Sequence, residues 1–69
     1  MEIKWEDGFS IGVSASNNTA VISANREGLL TLASIFTALA EEYPGSHVHL
    51  DKNNSLEDSS AELIVEKIV

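Results

Sequence analysis

The chain has 69 residues, a formal net charge of −7 and no cysteine. A chain this short buries only about 60% of the surface that its unfolded form exposes, so it forms one small core and cannot combine a catalytic domain with a cofactor domain. The 11 acidic against 4 basic residues exclude a protein that tracks nucleic-acid phosphates, and the missing cysteines exclude disulfides and thiolate metal sites.

The first third of the chain predicts a three-stranded antiparallel meander. Ile3 and Trp5 alternate with charged residues, which favours a short strand. Trp5 is expected to close one end of the core, and an exposed anchor for a partner is the weaker alternative. Asp7-Gly8 follows as a two-residue hairpin signal, because both residues adopt positive φ readily. The polar run 16–18 predicts the second turn. The three strands are predicted at residues 2–6, 9–15 and 19–24.

A helix is predicted next, over about residues 26–42. Asn25 is a good N-cap, Glu27 suits the positive end of the helix dipole, and Pro44-Gly45 ends the helix. The stripe that faces the core is predicted to contain Leu29, Leu32, Ala33, Phe36, Leu39, Ala40 and Tyr43, with Ile35 at its edge. The other side is predicted to carry Thr31, Ser34, Ala38, Glu41 and Glu42.

Two more strands are predicted after the helix, at residues 47–51 and 61–69. In the first, Val48 and Leu50 alternate with polar residues and are expected to point inward. The second is rich in β-branched residues and apolar on both faces, which favours a strand. A helix is the alternative for this segment, since Ser59 and Glu62 have the spacing of a capping box.

Together the elements predict a single α+β domain over residues 1–69. We expect two layers: an antiparallel sheet of about five strands in ββ(β)αββ order, and one helix packed on one face of it. One helix covers only one face of such a sheet. The other face is therefore a candidate partner surface.

His47, His49 and Asp51 form the most distinctive polar pattern. They alternate along a strand and so project from one face, where two imidazoles and a carboxylate are chemically able to bind zinc or iron. The alternative is a solvated polar face opposite Val48 and Leu50, which is the usual meaning of so short a motif. We therefore predict neither a metal nor a cofactor.

A hydrolase would use His49 as general base, Asp51 as its orienting partner and Ser46 or Ser55 as nucleophile. Nothing in the sequence fixes the geometry of these groups. The chain also contains no nucleophile elbow, phosphate-binding loop or dinucleotide-binding turn. We therefore predict that the protein is not an enzyme.

Targeting signals are missing from the sequence. The first ten residues carry Glu2, Glu6 and Asp7 and have neither the basic nor the apolar region of a secretory signal. The most apolar stretch, residues 29–40, is far shorter than the ~20 residues that span a bilayer. We expect a cytoplasmic protein with no membrane partner.

Five short runs follow one another in a distinctive order. They are NREGLL at 25–30, Pro44-Gly45, HVHLD at 47–51, SLED at 55–58 and ELIVEK at 62–67. In this order the runs resemble the immunity protein 32 family of bacterial polymorphic toxin systems, over roughly residues 22–68. Ser59 stands where that family has glycine in the loop before the last strand.

The resemblance implies a small cytoplasmic protein that binds and neutralises a cognate toxin domain by occlusion, with a nuclease as one candidate toxin. The excess negative charge would speed its encounter with a basic partner. The residues that match the family pattern and are candidates for partner binding are His47, His49, Asp51, Glu57 and Asp58. The alternative is a small homodimeric structural or regulatory module that pairs through the free sheet face or an edge strand.

Overall fold

The computed structural model describes all of residues 1–69 and contains one helix and four strands. In chain order the elements are β1 (Ile11–Ser16), β2 (Thr19–Ala24), α1 (Arg26–Ala40), β3 (His47–Leu50) and β4 (Leu63–Glu66). The predicted α+β class is confirmed. The predicted single sheet of about five strands is wrong, because the strands form two separate antiparallel hairpins, β1-β2 and β3-β4. α1 lacks the length and apolar character of a membrane-crossing helix.

The β1-β2 hairpin closes at the predicted turn. Asn17 and Asn18 both have positive φ, at 50° and 63°, as a two-residue turn requires when it matches the twist of its strands. Asparagine tolerates this region because its short polar side chain bonds locally to the backbone. The resulting register places Ile11 and Val13 on one face, where both are buried.

A seam between β1 and residues 57–61 joins the two hairpins. The C=O of Ile11 accepts from the Glu57 N–H at 2.9 Å, and the C=O of Val13 accepts from the Ala61 N–H at 2.8 Å. The Val13 N–H donates to Ser60 Oγ at 3.2 Å. Between the two main-chain bonds β1 advances two residues and the loop advances four, whereas a regular ladder advances equally on both strands. The seam therefore does not merge the hairpins into one sheet.

Ser59 lies in the seam with a φ of +69°. This left-handed conformation is unfavourable for a residue with a side chain and favours glycine. A glycine, which the resemblance implies at this position, would adopt this φ without that cost.

The N-terminal segment forms no strand, so the predicted strand at residues 2–6 is wrong. Instead the Lys4 N–H donates to Ser34 Oγ at 2.7 Å, and the Glu6 N–H donates to Thr31 Oγ1 at 3.0 Å. The segment thus runs along α1, and helix hydroxyls satisfy amides that a strand neighbour would otherwise bind. This contact buries the Thr31 side chain, which the sequence pattern placed on the solvent side.

The Asp7-Gly8 turn is present, with Gly8 at φ +77°, but it does not close a hairpin. It lets the chain fold back so that the rings of Trp5 and Phe9 pack at a centroid distance of 5.5 Å. Trp5 stays 44% exposed. The prediction that it belongs to the core is therefore wrong.

Asn25 caps α1 as predicted. Its Oδ1 accepts from the Gly28 N–H at 2.7 Å and from the Ser10 N–H at 3.0 Å. Its Nδ2 donates to the C=O of Gly8 at 2.9 Å. One side chain thus satisfies an orphan helix amide and fixes the approach of β1 to the helix.

The C-terminal end of α1 lies at Ala40, two residues before the predicted end. Nζ of Lys67 donates to the carbonyls of Ala40 and Glu42 at 2.7 and 2.8 Å. A cation at this position offsets the negative end of the helix dipole, where Glu41 and Glu42 would otherwise be unfavourable.

The buried face of α1 is rotated relative to the prediction. Its buried residues are Gly28, Thr31, Leu32, Ile35 and Leu39. Leu29 and Phe36, which the sequence pattern assigned to the core, are 56% and 46% exposed, whereas Ile35 is fully buried. The central cluster draws on both hairpins, the helix and the loop after β3, and consists of Ile11, Val13, Leu32, Ile35, Leu50 and Leu56.

Candidate functional site

The β3-β4 hairpin has one face toward the core and one toward solvent. Val48 and Leu50 are half-buried and buried, whereas His47 and His49 between them are exposed, as the alternation predicts. The register pairs His47 with Glu66 and His49 with Ile64. We define the outer face as the solvent-facing residues His47, His49, Glu62, Ile64 and Glu66.

His49 lies between two carboxylates. Its Nε2 is 3.2 Å from Oε2 of Glu62 and 3.8 Å from Oδ2 of Asp51. These groups are partly or largely exposed, so their attraction contributes little to stability. Sequence reasoning missed Glu62 as a neighbour of His49, because the contact depends on the pairing register of two strands that are distant in sequence.

Asp51 serves mainly to build the turn after β3. Its Oδ1 accepts from the Asn53 N–H at 2.9 Å, and its C=O accepts from the amides of Asn54, Ser55 and Leu56. The Asp51 N–H in turn donates to Asn54 Oδ1 at 2.9 Å. The residue therefore positions the end of β3 and the buried Leu56 as well as contributing charge near His49.

The side chains around His49 include neither a group placed to hold a metal ion nor a serine hydroxyl bonded to its ring. No group of three His, Asp or Glu side chains is placed to hold a metal ion. The hydroxyl of Ser55 donates to Asn54 Oδ1 at 2.6 Å rather than to His49. The contacts of His49 are those of a surface residue with acidic neighbours.

Glu57 and Asp58 lie beside β1, apart from the histidines. Both are exposed at the seam and line a shallow groove of about 210 Å³. The other lining residues are Gly12, Val13, Ser14, Ser23, Ser59 and Ser60. The structure thus brings His47, His49 and Asp51 together and leaves the Glu57–Asp58 pair as a second polar patch.

Ile64 occupies the middle of the outer face and is 58% exposed. Its cross-strand partner is His49, and Glu62 and Glu66 lie two residues away on the same side of the strand. The sequence pattern placed Ile64 on the second apolar face of the last strand. Ile68, which the sequence pattern placed on the same face, lies past the end of β4 and is 79% exposed. Within β4, Ile64 is therefore the large apolar side chain of this face, with charged and polar neighbours.

The negative charge at this end of the molecule is largely uncompensated. Lys67 is engaged at the end of α1, while Lys4 and Arg26 lie within 3.5 Å of Glu6 and Glu27. The remaining cation, Lys52, is exposed next to Asp51 and forms no ion pair. The acidic residues without a cationic partner include Glu57, Asp58 and Glu66. The outer face and the seam therefore present a negative potential to an approaching molecule.

Comparison with known proteins identifies the family. The model of the family described as immunity protein 32 matches residues 19–68, which include β2, α1, residues 57–61 of the seam and the whole outer face. No curated protein and no solved structure matches the chain. The family match covers more than half of the chain and confirms the resemblance seen in its motifs. The chain therefore belongs to the immunity protein 32 family, a family of toxin-neutralising proteins rather than enzymes.

Proposed function

We propose that the protein neutralises its cognate toxin by direct binding, with the outer face as the centre of the contact and the Glu57–Asp58 patch at its rim. The observation that carries this proposal is the exposure of Ile64 amid polar and charged neighbours. Neutralisation then follows from occlusion, because a bound domain of this size covers the toxin surface that substrate must reach.

The energetics of interfaces favour this arrangement. Binding energy is concentrated in a few side chains near the centre of a contact, and the surrounding polar groups exclude water and give specificity. Ile64 supplies the apolar centre, and His49, Glu62 and Glu66 supply neighbours able to form hydrogen bonds. His47, opposite Glu66, extends the same face.

The charge of the chain indicates the chemistry of the toxin. A net charge of −7 with unpaired carboxylates at Glu57, Asp58 and Glu66 attracts a basic surface and speeds association with it. Toxins that act on nucleic acid carry such surfaces, because they must bind phosphates. We therefore infer a basic toxin domain, of which a nuclease is the leading candidate.

Ile64→Glu is expected to weaken binding to the cognate toxin domain by at least about tenfold, because it places a charge at the apolar centre of the contact. Titration calorimetry with the purified toxin domain measures this change. The matched control is Leu30→Glu, which introduces the same charge at an exposed apolar position on α1. Equal affinity of the Ile64 variant and the wild type would contradict the assignment of the outer face.

Neutralising Glu57 and Asp58 together, as Glu57→Gln with Asp58→Asn, is expected to slow association with a basic toxin and to change the dissociation rate little. Charges at a rim act mainly on the encounter of the two molecules. Stopped-flow binding over a range of salt concentrations measures the effect, and the difference from wild type should shrink as salt increases. An association rate that does not depend on salt would contradict electrostatic attraction to a basic toxin.

A further inference from the structure

A second exposed apolar surface runs along α1 and takes no part in the proposed toxin contact. We define the α1 stripe as Leu29, Ala33, Phe36 and Ala40, all of them exposed. The spacing of four, three and four residues places them on one side of the helix, as in the contact seam of a coiled coil. The rotation of the buried face toward Ile35 explains why this side is left without a partner.

We propose that two copies of the chain pair through the α1 stripe, with their helices antiparallel about a twofold axis that passes between positions 34 and 35. Such an axis places Leu29 of one copy opposite Ala40 of the other, and Phe36 opposite Ala33. Each large side chain thus faces a small one. A twofold contact repeats both pairings, so the surface is complementary to itself.

The opposite arrangement fits the stripe less well. Parallel helices in register would set Phe36 against Phe36 and Ala33 against Ala33, which crowds one layer and leaves a gap at the next. The alternation of large and small side chains therefore selects the antiparallel pairing. Alanine at two of the four positions also allows the two helix axes to approach closely.

The charges at the two ends of the stripe support the same pairing. Arg26 lies at the start of α1 with its side chain 78% exposed, and Glu41 lies exposed just past its end. The same axis sets Arg26 of one copy opposite position 43 of the other, two residues past Glu41, at both ends of the contact. The guanidinium, which lies 3.4 Å from Glu27 of its own chain, is thereby brought near a second carboxylate. The helix dipoles also oppose one another, whereas parallel pairing would set like charges side by side.

The two surfaces lie on different sides of the domain. Leu50 of β3 packs in the same cluster as Leu32 and Ile35 of α1, so the outer face of β3-β4 points away from the helix. A pair formed through the α1 stripe therefore leaves both copies of Ile64 exposed. It also differs from pairing through a sheet face or an edge strand, the two modes considered from the sequence.

Sedimentation velocity of the full chain at high micromolar concentration tests the proposal. We expect the wild type to sediment as two chains, and both Phe36→Glu and Ala33→Lys to sediment as one. Ala33 is an exposed alanine, so its variant should keep its fold even where the Phe36 variant does not, and far-ultraviolet circular dichroism checks both. Ile64→Glu is the control and should remain paired.

Mixing the two charged variants provides the sharper test. In the antiparallel pairing a Phe36→Glu chain and an Ala33→Lys chain bring the new carboxylate and the new ammonium together, so the mixture should again sediment as two chains. A monomeric wild type would overturn the proposal. So would a wild-type pair that survives Ala33→Lys, or a mixture of the folded variants that stays monomeric.

Discussion

Replacing Gly28 with alanine is expected to lower the free energy of unfolding by about 2 kcal/mol, although alanine is ordinarily the better helix residue by about 1 kcal/mol. A Cβ at this position would overlap the backbone oxygen of Ser10 and would lie only 3.0 Å from both Ala24 Cβ and Ile11 Cγ1. The Ser10 oxygen belongs to the backbone directly before β1, so it cannot move aside as the end of a flexible side chain can. Urea denaturation, with the slope of the transition compared between variants, measures the change.

Gly12→Ala is the matched control for Gly28. Its added Cβ would lie 3.8 Å from the nearest atoms, Ser23 O and Ser60 Oγ, which is ordinary contact. We expect the free energy of unfolding of this variant to lie within about 0.5 kcal/mol of that of the wild type. If Gly28→Ala were as stable as Gly12→Ala, the close approach of α1 to β1 would be disproved.

Ile35→Ala is expected to lower the free energy of unfolding by about 3 kcal/mol, because the side chain is fully buried in the central cluster and its loss leaves a cavity. A domain of this size is stabilised by only about 3–10 kcal/mol in total, so the variant should lie close to its unfolding threshold. Thermal unfolding should show a fall in Tm of roughly 12–24 °C.

Phe36→Ala is the informative comparison, measured in dilute solution where copies do not associate. Phe36 is the larger side chain and lies next to Ile35 in sequence, yet it is 46% exposed. Its replacement by alanine should therefore lower the free energy of unfolding by no more than about 1 kcal/mol. The sequence pattern alone predicts the reverse order, with Phe36 central and Ile35 at the edge. If Phe36→Ala lowered the free energy of unfolding more than Ile35→Ala, the result would support the helix orientation predicted from the sequence and contradict the one in the structure.

The elements that sequence reasoning predicted well depend on local chemistry. The turn at Asn17 and Asn18, the strand at 19–24 and the cap at Asn25 each follow from the preferences of one or two residues. The exposure of His47 and His49 follows from strict alternation. In all these positions the backbone conformation is set by near neighbours, so no knowledge of the tertiary fold is needed.

The errors arise where the tertiary fold overrides local preference. Ile3 and Trp5 alternate like a strand, but the amides of this segment bond to helix hydroxyls, which no local pattern indicates. Gly28 and Thr31 are not strongly apolar, yet both are buried, one because β1 approaches closely and the other because it binds the N-terminal segment. A prediction from hydropathy alone therefore turned the wrong face of α1 toward the core, the face with the larger apolar side chains.

In the candidate site, too, single residues could be predicted locally, whereas their contacts depend on the tertiary fold. Asp51 was expected to share the role of the histidines, and the backbone bonds that give it a turn-building role depend on the loop after β3. The contact between His49 and Glu62 depends on the pairing register of β3 and β4. Candidate residues could thus be found from spacing, whereas their grouping required the pairing of distant segments.

The seam has a consequence for the local stability of the domain. Opening it breaks two main-chain bonds and the Val13–Ser60 bond, and leaves the ladders of both hairpins intact. Structure joined by so few bonds opens locally at lower free energy than the ladders themselves. The amides of Glu57 and Ala61, which donate across the seam, should therefore exchange with solvent sooner than the amides of the two ladders. The central cluster still holds the β3-β4 hairpin through Leu50, so such opening stays local to residues 57–61.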